Sequence, residues 1–305
     1  MNRERAGRIT KNGAQAGTRA HPVALAERLE LDSALDKPIQ VISKAVRRAL
    51  PPGPLRNLLH GVPFGHPVHA PLTDLPIGAY CSAALLDLFP GTRRASRVLI
   101  AFGLSTSVPT VLTGLADWSS LHREQQRVGL VHAVGMGLTN LLYGASLLAR
   151  MRGDQGTGKA LSFLGLGSMM AGSYLGGHLA FRQAAGANHA PSISHLVPLG
   201  WHDLCPLDEL PDGWPVHRSL GYIDLFVLRL GDEVRVLADA CAHLAGPLHQ
   251  GRVVRIHDEI CVVCPWHGST FRVDDGAVVD GPATSRQPAF DTRISETGMV
   301  QVRPI

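Results

Sequence analysis

Two short cysteine–histidine pairs stand apart from the rest of the 305-residue chain: Cys241-x-His243 and, after twenty intervening residues, Cys264-x-x-His267. Thiolates are soft anionic ligands and imidazoles neutral ones, so four such donors suit an iron or a zinc centre. Each pair is followed by small residues, Ala245-Gly246 after the first and Gly268-Ser269 after the second. A two-iron cluster with two cysteines on one iron and two imidazoles on the other requires such a pair of loops, each loop giving one ligand to each iron. The neutral imidazoles leave their iron less negatively charged and easier to reduce, so the electron settles there and the potential rises above that of four-cysteine clusters. Zinc competes for the same donor set, but Cys241 and His243 are closer together than the usual spacing for one tetrahedral ion. Of the other cysteines, Cys261 falls in an apolar run and reads as a strand residue, and Cys81 and Cys205 read as packing residues. Five scattered cysteines make no disulfide framework.

Short alternating segments surround the two pairs: 225–230, 234–238, 260–264 and 299–302, bounded by Gly, Asp and Pro. They predict a small all-β domain over 198–305. A Gly/Ala/Ser/His linker, 183–197, precedes it. Upstream lie four apolar runs, 72–89, 98–115, 128–149 and 160–181, each close to the ~20 residues that cover a bilayer's hydrocarbon. They predict a helical membrane bundle of four spans over 38–182. Gly172 and Gly176, and Gly129, Ala133 and Gly137, provide small residues four apart for close helix packing. Residues 36–61 mix apolar and basic side chains as an amphipathic segment, lying in the headgroup region or packed on the protein, and broken by Pro51, Pro52 and Pro54. Residues 1–37 read as a basic, disordered tail with no signal-peptide core.

Charge divides the same way. Residues 1–71 carry eleven Lys/Arg against five Asp/Glu, 72–181 eight against five, and 182–305 ten against fifteen. This distribution excludes a uniformly basic nucleic-acid binder. An even number of spans puts both termini on one side, and the basic head assigns that side to the cytoplasm of a multi-pass cell-membrane protein. Antiparallel spans would bring His66, His69, Asp74, Asp117, His122, His132 and His178 to the face that carries the β domain. Among them His69, His132 and His178 form a candidate second site for haem b or a quinone; the competing reading is interfacial histidines satisfied by carbonyls and headgroups.

The segments CAHLAGPLHQG at 241–251, CPWHGSTF at 264–271 and DGAVVDGPA at 275–283 resemble the Rieske iron–sulfur domain. The resemblance implies a β-sandwich whose ligand loops meet at one tip, a [2Fe–2S] cluster held by Cys241, His243, Cys264 and His267, and a segment around Gly281–Ala283 packed over it. It also implies a hydrogen bond from Ser269 to the cluster. Where the quinol-oxidising members carry two further cysteines joined as a disulfide, this chain has Gly246 and Trp266, and Phe271 replaces a tyrosine. The pattern is therefore similar to the ferredoxin-like members of oxygenase systems, with a potential expected low in the ~−150 to +300 mV Rieske range. The stretch GHPVHAPLTDLPIG at 65–78 resembles an uncharacterised family of bacterial four-helix membrane domains. Together these imply a membrane-anchored electron carrier with the cluster on the cytoplasmic face, serving a reductase or an oxygenase-type acceptor. Two alternatives are a complete membrane oxidoreductase using the histidine site and a redox-sensing regulator. Only 38 residues follow His267, too few for a Rieske oxygenase's mononuclear iron domain, and no nucleotide fingerprint is present.

Overall fold

The computed structural model describes residues 22–305, so most of the expected N-terminal tail, 1–21, lies outside the described residues. The remainder of that tail is not a tail. Helix α1 (Pro22–Leu31) packs on α6 (Arg123–Met151) with Ala26 fully buried. Arg127 on α6 donates to both carboxylate oxygens of Asp36 at 2.8 and 2.9 Å and to the Glu30 carbonyl at 2.7 Å. A guanidinium fork matched to a carboxylate holds the segment where composition alone suggested disorder.

Helices α2 (Asp36–Ala49) and α3 (Pro54–His60) follow, separated at the prolines, with Ile39 buried and the basic face outward. Arg47 of α2 donates to Ser119 O at 2.8 Å, closing the C-terminal end of α5 (Arg93–Trp118), where carbonyls lack helical partners. The four long helices are α4 (His69–Leu86), α5, α6 and α7 (Gln155–Gly177), the last running into a short π-helical turn, His178–Arg182. They overlap the four apolar runs; α5 and α6 extend past theirs at both ends, whereas α4 and α7 start earlier and end earlier than theirs. Of these, α5 and α6 are long and apolar enough to cross a membrane.

The helices bury many small and polar residues around an apolar centre of Tyr80, Ile100, Tyr143 and Met169, and they leave many large apolar side chains exposed. On α5 the buried positions include Ser96, Gly103, Ser107, Thr110 and Thr113, while Val98, Phe102, Val108, Val111 and Leu112 are exposed. On α7 the buried set is Gly158, Ser162, Gly165, Met169 and Gly172, with Phe163, Leu164 and Met170 outward. Small inward residues let large ones pack: Tyr80 of α4 stacks on Tyr143 of α6 at 3.8 Å, and a Cβ at Gly103 would lie 2.4 Å from the Tyr80 ring. Gly172 does mediate a close approach, but its neighbours on α6 are Gly135 and Met136, and nothing lies near Gly137. Cys81 is exposed, not packed, whereas Cys205 is buried. At the end of the bundle away from Asp117, the fully buried Arg150 makes a bidentate pair with Asp87 and bonds Ser146 and Ser162 at 3.1 Å.

The C-terminal domain is all-β. A six-stranded antiparallel sheet has the order β1 (His202–Pro206), β10 (Met299–Pro304), β9 (Ala289–Ile294), β4 (Glu233–Ala238), β3 (Ile223–Leu230), β2 (Pro215–Leu220). A four-stranded sheet runs β5 (Arg252–Ile256), β6 (Glu259–Val263), β7 (Thr270–Arg272), β8 (Val278–Asp280). Strand β3 is apolar on both faces. Leu225 and Val227 enter one core, Phe226 and Leu228 the other, as a period of two requires. Phe226, Leu228 and Leu237 meet Val262 and Phe271 across the sheets, directly beneath Cys241 and Cys264. The expected linker also contributes: a one-turn helix, α8 (Ile193–Leu196), and the next residue place Ile193 and Val197 in the first core.

Candidate metal centre

Two loops form the tip of the β domain. The first follows β4 and carries Cys241 and His243; the second joins β6 to β7 and carries Cys264 and His267. Cys241 N–H donates to Gly246 O and Ala245 N–H to Cys241 O, with Ala245 in the left-handed region (φ 57°). Cys264 N–H donates to Ser269 O at 2.8 Å and Gly268 N–H to Cys264 O. Each loop is thus a tight backbone-bonded turn, with its cysteine buried against the core.

The four donors meet like with like. The two cysteine side chains interact directly, which holds the Cys264 thiol down at about 7, aided by the N–H groups of Trp266 and His267. The same interaction, followed by burial, pushes the Cys241 thiol up. The His243 and His267 rings lie 5.1 Å apart, edge to face. Burial holds His267 at about 4 and His243 well below the ordinary imidazole value, so both are neutral at physiological pH, the form that binds metal. A thiol pair beside an imidazole pair suits a two-iron cluster with Cys₂ and His₂ ends.

Supporting groups surround them. Ser269 is fully buried and its hydroxyl oxygen accepts from Ala283 N–H at 2.9 Å, which fixes the 281–283 segment beside the second loop and leaves the hydroxyl proton to donate elsewhere. A Cβ at Gly246 would lie 2.9 Å from Cys264 Sγ and 3.0 Å from the Trp266 ring, so the two positions that carry a disulfide in other Rieske domains are neighbours here. The first loop hangs on Gln287. That buried side chain donates to Ala238 O at 2.6 Å and Ala240 O at 2.7 Å and accepts from Ala242 N–H at 3.0 Å. Sequence reasoning missed it, because a glutamine in an irregular stretch twenty residues past the last ligand carries no local signal. Arg272, paired with Asp275 and Glu259, locks the base of the second loop.

The helical domain reaches the same tip. The His122 ring is 5.2 Å from those of both Trp266 and His267, and buried His60 donates through Nδ1 to Asp117 at 2.8 Å. His122 and Asp117 were on the face expected from the topology; His60, in the amphipathic segment, was not singled out. The three histidines read as a second site each have a partner of their own. His69 donates to Thr110 O at 2.9 Å, His132 to Gly172 O at 2.8 Å, and His178 to Glu30 at 2.6 Å.

Donor set, loop geometry and β-sandwich together define an iron–sulfur electron-transfer domain. Residues 200–291 match the family model described as the Rieske [2Fe-2S] domain, and residues 65–189 match one described as a predicted membrane protein (DUF2231). The chain belongs to the Rieske family. It is 32% identical over 102 residues to the anthranilate 1,2-dioxygenase ferredoxin subunit of Burkholderia cepacia, covering 33% of this chain and 90% of that protein. It is 29% identical over 98 residues to ferredoxin CarAc of Metapseudomonas resinovorans, covering 32% of this chain and 87% of that one. Among solved structures, the ferredoxin of carbazole 1,9a-dioxygenase from Nocardioides aromaticivorans IC177 is 27% identical, with 34% of this chain and 98% of that one covered at a TM-score of 0.31. The family and its ferredoxin relatives carry a [2Fe–2S] cluster and transfer electrons through it, and so does this chain.

Proposed function

We propose that this protein is a membrane-anchored electron carrier whose cluster is held by Cys241, His243, Cys264 and His267. The observation that carries the anchoring is the outer face of the long helices, where many Val, Leu and Phe side chains are exposed while many Ser, Thr and Gly are buried. Water would penalise such a surface, and lipid would not. In this reading all four long helices span the bilayer, both termini face the cytoplasm, and residues 38–182 form the membrane domain and 198–305 the redox domain.

When bound, the cluster takes up and returns one electron at a time. The chain does the rest. Cys264 ionises first of the thiol pair, the neutral imidazoles complete the ligand set, and Ser269 keeps a hydroxyl proton for a sulfur. Phe226, Leu237 and Phe271 exclude water from beneath. The ferredoxin subunit to which it is 32% identical is named for anthranilate 1,2-dioxygenase, which supports a soluble reductase or an oxygenase-type acceptor as the redox partner.

The test has two arms. Purified protein should contain iron and acid-labile sulfide in equal amounts, and Ala at any of the four ligand positions should remove both; stoichiometric zinc without sulfide would refute the ligand assignment. Reporter fusions after Phe181 and in the 89–98 loop should report opposite sides, with the former cytoplasmic.

A further inference from the structure

The anthranilate dioxygenase ferredoxin, matched over 90% of its length by 102 residues, has no counterpart of the helical domain. In such a stand-alone domain the imidazole edge of the tip is the surface open to partners. Here the protein's own helices touch the tip at two separate places.

The first is His122. Its ring packs at 5.2 Å against the ligand His267, inclined 62°, and at 5.2 Å against Trp266, inclined 72°. His122 is the N-cap of α6, and Gln125 Oε1 accepts from its backbone N–H at 3.0 Å, which fixes the backbone that carries the ring. The second is Asn57 on α3, which accepts from Gly281 N–H at 2.9 Å and donates to Val279 O at 3.4 Å. Gly281 fits this approach because a Cβ there would stand 3.2 Å from Val62 and 3.4 Å from His60. A third bond, Gln125 Nε2 to Gln183 O at 2.9 Å, ties α6 to the linker.

We propose that the helical domain is a built-in docking partner for the cluster tip, with His122 as a positioning residue for His267 and Asn57 as the clasp. In the docked arrangement the His122 ring covers the side of His267 that it packs on and hinders a soluble protein's access to the imidazole edge. Release of the His122 and Asn57 contacts would then speed direct exchange with a soluble partner. The inference rests on the ligand assignment proposed above.

The experiment uses the full chain in detergent, reduced by dithionite, with His122→Asn, Asn57→Ala and the double variant. Asparagine is a good N-cap, so H122N removes the ring and keeps the helix start. Iron and sulfide content is measured first: if wild type lacks a cluster, the ligand assignment fails, not the docking. With clusters intact, H122N should shift the electron paramagnetic resonance g-values and the midpoint potential, because the group packed on His267 is gone. One electron then passes from the reduced cluster to a ferric soluble c-type cytochrome, giving oxidised cluster and ferrous cytochrome. The double variant should do this roughly tenfold faster than wild type, equivalent to about 1.4 kcal/mol, whereas ferricyanide, small enough to enter from the side, should gain much less. Unchanged g-values in H122N together with unchanged cytochrome rates in the double variant would overturn the proposal.

Discussion

Replacing Gln287 by leucine tests whether the first ligand loop is held from behind by one side chain. Leucine preserves most of the volume, so the cavity contribution is small and the change is in polarity. Three buried backbone groups lose their partner: the carbonyls of Ala238 and Ala240 and the N–H of Ala242. A buried polar group left unpaired costs about 1–3 kcal/mol. At the low end of that range the three together cost about 3 kcal/mol, a large share of the 5–15 kcal/mol typical of a whole domain. For a domain of about 100 residues this corresponds to a fall in Tm of roughly 12–24 °C. Because Ala240 and Ala242 flank Cys241, the loss should appear first at the metal centre: the visible absorption of the cluster should bleach at lower temperature than the far-ultraviolet signal of the sheets. A variant with full iron and sulfide and an unchanged melt would show that backbone bonds within the loop suffice and that the reasoning is wrong.

Asp87→Ala should strand the fully buried Arg150 and destabilise the helical domain by about 3–5 kcal/mol in a detergent melt, while Asp87→Ala with Arg150→Met should recover much of that loss; equal stability of the two would refute it. Gly246→Ala would force a Cβ within 2.9 Å of Cys264 Sγ, and overpacking of this kind costs about 1–3 kcal/mol, so lower cluster occupancy and altered Trp266 fluorescence are expected. The Arg272 guanidinium, by hydrogen bonding, holds the Asp275 carboxyl down at about 2. A carboxyl depressed in the folded state contributes stability that is complete above its ordinary value near 4 and lost as pH falls through about 2. Asp275→Asn should therefore lower stability above pH ~4 and flatten its decline between about 4 and 2, followed by far-ultraviolet melts against pH; parallel curves for the two proteins would count against the pair.

Local chemistry wrote much of this protein into its sequence. Donor type and spacing named the two-iron centre, since Cys-x-His and Cys-x-x-His loops suit few other uses, and alternation located the strands β3, β4, β6 and β10 to within two residues. Apolar runs located the four long helices, the first of them despite Asp74 and Pro76 within it. What the sequence could not show is every relation set by non-local contact. The segment 22–36 reads as disordered by composition, yet is held because Arg127, ninety residues on, meets Asp36 and Glu30. His69, His132 and His178 share one end of the bundle by topology, but helix rotation gives each a different partner, and rotation depends on packing against neighbours. Gln287, Asn57 and His122 act on the ligand loops only because sheet order and domain docking bring distant chain segments within hydrogen-bond or ring-packing range. Spacing along a chain decides which donors can share a centre; only the packed tertiary structure decides what stands behind them and what covers them.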